Sequence, residues 1–141
     1  MLPSEVFLSH SSRDRNFASR LAEMLRTHGI PVWYSQTNIR GAQQWHDEIG
    51  AALRRCDWFL VVLSPNSVES IWVKRELLFA LQQHHFVGRI VPLILAPCEY
   101  EKLSWTLSSF QVVDFSQPLE GGSRDLLRVW GIGFAPPQAD P

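Results

Sequence analysis

The sequence predicts an α/β domain built on a five-stranded parallel sheet, and three observations carry that expectation. Residues 57–63 read Asp-Trp-Phe-Leu-Val-Val-Leu, a nearly continuous apolar run with no polar alternation. Strands buried on both faces have this composition, and they belong to parallel sheets covered by helices on each side. Short apolar runs of this kind alternate along the chain with segments of helical period, the pattern of a parallel α/β layer structure. The 141 residues, 45% hydrophobic and 19% charged, suit one globular domain able to bury roughly two-thirds of its chain surface.

The elements follow in order. Glu5-Val6-Phe7-Leu8-Ser9 is a short apolar strand. Ser11 and Asp14 then have the spacing of a capping box at a helix start. Phe17, Leu21, Met24, Leu25 and His28 recur at helical spacing, and Gly29 stands where a helix C-terminal glycine belongs. Ile30-Pro31-Val32-Trp33-Tyr34 is a second strand, with its proline near the start, where a missing N–H is tolerated. Residues 35–44 are polar with a single glycine and read as a loop, before Trp45, Ile49, Ala52 and Leu53 mark a second helix. After the third strand, Ser64-Pro65-Asn66-Ser67 is a break, and residues 68–84 form a third helix turning Val73, Leu77, Ala80 and Leu81 inward. Residues 89–95 and 111–115 are the fourth and fifth strands, with a short helix or irregular turns between them. Residues 124–130 form the last helix.

Strand order is not encoded in periodicity. One short domain of this alternation most often adopts the flavodoxin-like three-layer arrangement, order 2-1-3-4-5 with helices on both faces. In such sheets ligands sit outside the carboxyl ends of the strands. Those ends are Ser9-His10-Ser11, the loop after Tyr34, and Ser64-Pro65-Asn66, and all three are polar.

Composition narrows the function. Thirteen basic against fourteen acidic side chains give a formal charge of −1, so no broad basic surface is offered to a nucleic acid. Cys56 and Cys98 lie far apart, in no metal-ligand or disulfide-framework spacing. The opening residues are too short and polar for a signal peptide, and no apolar run reaches membrane-spanning length. A cytoplasmic protein with no membrane partner is expected. Residues 135–141 have the composition of a linker or disordered tail, so residues 1–134 are expected to form the domain, and a further domain beyond Pro141 would be compatible with that tail.

Most catalytic motifs are missing. There is no phosphate-binding P-loop, and Gly131-Ile132-Gly133 follows a helix where a dinucleotide fingerprint follows a strand. No His, Cys, Asp and Glu spacing suits a metal, and His84-His85 reads as a solvated helix end. Ser9 and His10 look like a nucleophile and base, yet adjacent strand residues point to opposite faces. A phosphoacceptor receiver domain shares the expected topology. It needs acids after the first strand and an aspartate ending the third, where this chain has Ser9-His10 and Ser64.

Three blocks resemble a known family, the TIR (Toll/interleukin-1 receptor) domains, and in particular their bacterial, NAD-cleaving branch. Residues 6–14, Val-Phe-Leu-Ser-His-Ser-Ser-Arg-Asp, look like the family's first strand and turn. Residues 57–67 look like its third strand and exit. The most specific block, Ser70-Ile71-Trp72-Val73-Lys74-Arg75-Glu76-Leu77, carries the Trp-x-x-x-Glu element of enzymatic members. The likeness runs over residues 4–132.

From spacing alone, Glu76 beside Lys74 and Arg75 reads as a solvated charge and Trp45 as a core residue. The resemblance implies instead that Glu76 is the catalytic carboxylate of an NAD+ nucleosidase, hydrolysing or cyclising. It implies that Trp72, one helical turn earlier on the same face, and Trp45 line the substrate pocket. Ser9, His10, Ser11 and Arg40 complete the expected substrate-binding set. NAD+ is then a substrate, and no cofactor or metal is needed. Activation by self-association with other TIR domains is also implied, with residues around Arg40 and Gly41 contributing. That loop keeps only Gly41 of the family's proline–glycine pattern. Bacterial relatives suggest antiphage defence or nucleotide signalling. The rival class is a non-catalytic TIR adaptor, which keeps the fold and has no need of Glu76. A nucleoside deoxyribosyltransferase-like enzyme is a third option, disfavoured by the Ser64-Pro65-Asn66 exit and the placement of Trp72 and Glu76.

Overall fold

A computed structural model describes residues 2–34 and 42–136, and of residues 42–45 the backbone alone. Five strands, β1 (Val6–Ser9), β2 (Val32–Tyr34), β3 (Trp58–Leu63), β4 (Ile90–Ile94) and β5 (Val113–Asp114), form one sheet in the order β2-β1-β3-β4-β5. Every pairing is parallel. The doubly wound arrangement expected from the sequence is the one observed, and all five strands therefore end at the same edge.

The central strands are apolar on both faces because each face has its own helical layer. Val6, Leu8, Leu60, Val62, Val91 and Leu93 pack with α1 (Arg15–Thr27) and α5 (Leu119–Val129). The alternate residues Phe7, Phe59, Val61 and Leu63 pack with α2 (Ala42–Arg55) and α4 (Ile71–Leu81). On this second face the register sets Trp33, Phe7 and Phe59 side by side, with ring centroids 5.0 and 5.4 Å apart. The period of two places Ser9 beneath the same layer as Phe7.

Local departures from the sequence expectation have physical causes. The helix expected over residues 68–84 is two helices, α3 (Pro65–Val68) and α4, parted at Glu69 and Ser70. Ser64 and Ser67 make a reciprocal capping box with Pro65 in the first turn, which starts a helix earlier than the apolar period suggests. Ser70 then caps a new helix by accepting from the Val73 N–H. Residues 84–86 are a separate 3-10 turn. The last helix begins at Leu119, five residues before its expected start, and takes in Gly121 and Gly122. Gly122 is required there: a Cβ would lie 2.5 Å from the Phe115 ring, so α5 reaches β5 only because that side chain is absent. Residues 42–44, expected in the loop, are the first turn of α2.

Beyond α5, the chain turns back along α1. The Ala135 N–H donates to Nε2 of His28 at 3.0 Å, and His28 Nδ1 donates to the Met24 carbonyl at 2.7 Å. Phe134 stacks on the same imidazole, with the Arg124 guanidinium over its ring.

Candidate active site

Glu76 lies on the buried stripe of α4. Val73, Glu76, Leu77 and Ala80 follow the i, i+3, i+4, i+7 spacing of one helix face, and all four are buried. The carboxyl group is therefore carried to the sheet by its apolar neighbours, and the residue is only 7% exposed. It meets the hydroxyl of Ser9, the last residue of β1, which donates to Oε1 at 2.6 Å. This is the sole hydrogen bond of the carboxyl group among the described residues. Burial pushes Glu76 up to about 7 from an ordinary 4.5, and the Ser9 hydrogen bond, which favours the charged form, pulls the other way.

A second polar cluster ties neighbouring strand ends together. The chain leaves β1 through a 3-10 turn, Ser12–Asp14, capped by the Ser11 hydroxyl, which accepts from the Arg13 N–H. Asp14 does not complete the capping box that its spacing predicts. Its carboxylate turns to the exit of β3, accepting from Ser64 Oγ at 2.5 Å and from Asn66 Nδ2 at 2.9 Å. A tertiary acceptor for two side-chain donors thus wins over a local one. The signal was present in the sequence as two polar strand exits, but only their adjacency reveals the pairing. Asp14→Ala strips both donors of their acceptor, and we expect it to lower unfolding stability by roughly 2 kcal/mol in urea titrations, with a smaller loss in Asp14→Asn, which keeps one carbonyl oxygen.

The remaining sequence-predicted residues distribute as follows. His10 lies just beyond β1 on the opposite side from Ser9. Its Nδ1 donates to the Ser11 carbonyl at 2.8 Å, and its ring is 5.9 Å from that of Tyr34. The single Ser9 proton goes to Glu76, so Ser9 and His10 do not form a nucleophile–base pair. Trp72 is half-buried one turn before Glu76, with the Arg75 guanidinium 5.2 Å above its ring. That stacking partner was not anticipated, although its i, i+3 spacing was visible in the sequence. Arg40 and Gly41, and the side chain of Trp45, lie outside the described residues. Among the described residues no group of three or more His, Cys, Asp or Glu is arranged to hold a metal ion, and no helix is long and apolar enough to cross a membrane. Both cysteines are free.

The arrangement is a carboxyl group at the carboxyl edge of a parallel sheet, desolvated on an apolar helix face and anchored to the end of β1. A group so placed can stabilise a developing positive charge, and it suits an electrostatic role better than a structural ion pair, since among the described residues no cation pairs with it.

Comparison with known proteins bears on the fold and the family. The family model of the TIR domain matches residues 6–127. The 2′ cyclic ADP-D-ribose synthase BtTIR of Bacteroides thetaiotaomicron is 32% identical over 74 residues, covering 52% of this chain and 26% of that protein. The NAD(+) hydrolase PdTIR of Paracoccus denitrificans is 27% identical over 135 residues, covering 87% of this chain and 45% of that protein. The chain thus spans between a quarter and a half of the length of these curated relatives. Among solved structures, the TIR domain of the Toll-related receptor TRR-2 from Hydra magnipapillata superposes with a TM-score of 0.72 at 20% identity, covering 88% of this chain and 95% of that one. The TIR domains of the activated Roq1 resistosome give 0.70 at 19% identity, covering 90% and 99%. With the fold, the strand order and the extent of the family match in agreement, the chain belongs to the TIR-domain family.

Proposed function

We propose that this TIR domain cleaves the nicotinamide–ribose bond of NAD+, with Glu76 as its catalytic carboxylate. The observation that carries the reading is the buried carboxyl group of Glu76 at the carboxyl edge of the sheet, with no cation paired to it among the described residues. Support comes from the relatives named as NAD(+) hydrolases and as 2′ cyclic ADP-D-ribose synthases.

The chemistry needs little more than this. Glycosidases ordinarily use two carboxyl groups, one of which protonates the departing oxygen. The nicotinamide of NAD+ is already a pyridinium cation. When the C1′–N bond breaks, its electron pair leaves with the ring, which departs neutral and needs no proton. Positive charge then develops across C1′ and the ribose oxygen, and a fixed carboxylate beside the sugar stabilises it while accepting hydrogen bonds from the hydroxyls. Capture by water yields ADP-ribose and releases one proton, whereas capture by a nucleophile of the same molecule yields a cyclic isomer.

Trp72, Trp45 and the walls near His10 would exclude water and stack on flat rings, with Ser11 lining the same rim. Self-association through the segment around Arg40 would complete the pocket of a neighbouring copy, and a role in bacterial defence or nucleotide signalling in the cytoplasm fits such control. The deciding experiment incubates the domain with NAD+ across a range of protein concentrations and separates the products by chromatography. Free nicotinamide, rising faster than linearly with protein, is the expected result. No nicotinamide at any concentration, including under crowding that promotes assembly, would make the domain an adaptor.

A further inference from the structure

The hydroxyl of Ser9 has a narrower role than lining a pocket. We propose that Ser9 is a positioning residue for Glu76: its hydroxyl tethers Oε1 of the carboxyl group to the sheet and leaves Oε2 as the oxygen that meets the ribose. The inference rests on the catalytic reading of Glu76 given above.

Three observations carry it. First, the Ser9 hydroxyl is held by the most constrained part of the fold. Ser9 ends β1, which lies between β2 and β3, and it pairs in register with Val61 of β3. A donor placed there has little freedom, whereas Glu76 reaches it from a helix through a flexible side chain. Second, the O–H···O contact is short, 2.6 Å, and it is the only one the carboxyl group makes among the described residues. One oxygen is therefore committed and the other is not, which orients the group without consuming its capacity to accept. Third, Ser9 is only 1% exposed against 7% for Glu76. Ser9 is thus the more deeply buried partner of the pair.

That burial separates positioning from two other roles. A serine that bound substrate would need to face it, and a serine activated by Glu76 as a base would need its oxygen open to C1′. Neither fits a buried hydroxyl whose proton is committed to Glu76. The tether also acts on charge. A hydroxyl proton shared with a carboxylate stabilises the ionised form, which opposes the desolvation of the buried group. Without it, Glu76 would hold its proton to a higher pH and be the wrong species for stabilising a cation at neutrality.

The test compares Ser9→Ala and Ser9→Thr with the unmodified domain by two readouts. Isotope-labelled glutamate carboxyl NMR follows the titration of Glu76 in the unliganded protein, with its resonance assigned by its absence from Glu76→Gln. The pH dependence of kcat/KM for nicotinamide release is measured alongside. We expect Ser9→Ala to raise the Glu76 midpoint by about one pH unit and to move the acidic limb of kcat/KM upward with it. That gives a roughly tenfold loss at acidic to neutral pH that narrows toward pH 9. Ser9→Thr, which restores the hydroxyl, should return both toward the original values.

An unchanged midpoint in a folded Ser9→Ala protein overturns the proposal. So does complete loss of activity in Ser9→Ala at every pH while the unmodified domain is active, which would give Ser9 a direct part in the reaction. An unmodified domain that never cleaves NAD+, with the midpoint still moved by Ser9→Ala, retains the Ser9–Glu76 coupling and overturns the catalytic reading instead.

Discussion

Glu76→Gln is expected to leave the fold intact and to lower NAD+ cleavage by on the order of 100-fold or more, the scale of losing a principal electrostatic stabiliser. The substitution is nearly isosteric. Its amide oxygen can still accept from Ser9, so packing on α4 and the tether to β1 both survive. What disappears is the negative charge opposite the developing oxocarbenium ion. Because that charge develops only as the C1′–N bond breaks, the loss should fall mainly on kcat, with KM for NAD+ changed far less. Initial rates of nicotinamide release, with circular dichroism as the control for folding, provide the measurement. A folded variant that cleaves NAD+ at the parent rate removes Glu76 from the mechanism.

The same substitution is expected to stabilise the domain at alkaline pH. In the native state Glu76 titrates near 7, and in the unfolded chain it returns to about 4.5. Between these values the unfolded chain has already released its proton while the native carboxyl still holds one. Stability contributed by this residue is therefore fully present below about pH 4.5, declines as pH rises, and is gone above about pH 7. A difference of this size corresponds to about 3 kcal/mol, an upper figure once relaxation around the charge is allowed for. Glutamine does not ionise and escapes the penalty. Glu76→Gln should accordingly melt several degrees higher than the parent at pH 8 and lose that advantage at pH 4. Thermal melts at the two pH values decide it. An equal shift at both would place the effect in packing instead of charge.

Taken together, these expectations describe a residue kept at some cost to stability. An apolar side chain at position 76 would continue the stripe of Val73, Leu77 and Ala80 without a charge to desolvate. A carboxyl group there weakens the core, and on the proposed reading it supplies the site, which is the usual signature of a functional position.

The sequence by itself determined the layered α/β architecture, because the signals for it are local, whereas the strand order followed only from the arrangement such domains most often adopt. The unbroken apolar run of β3 required cover on both faces, and α1 and α5 supply one layer while α2 and α4 supply the other. Gly29, at φ +81°, sits where the helical period of α1 ends, since the left-handed turn that closes a helix favours a residue without a Cβ. The site was legible only in part. Trp72 and Glu76 share a face by spacing alone, and the likeness to TIR domains pointed to the glutamate.

Only the tertiary structure decided what the polar residues touch. Ser9 and Glu76 lie 67 positions apart, and nothing in either local pattern couples them. Parallel strand pairing carries β1 next to β3, and α4 folds back over that face to bring the two side chains together. Asp14 likewise exchanged a predicted helix cap for Ser64 and Asn66 across the strand exits. Periodicity records which face a residue occupies, but contacts between distant segments depend on chain topology, and the charge state of Glu76 depends on those contacts.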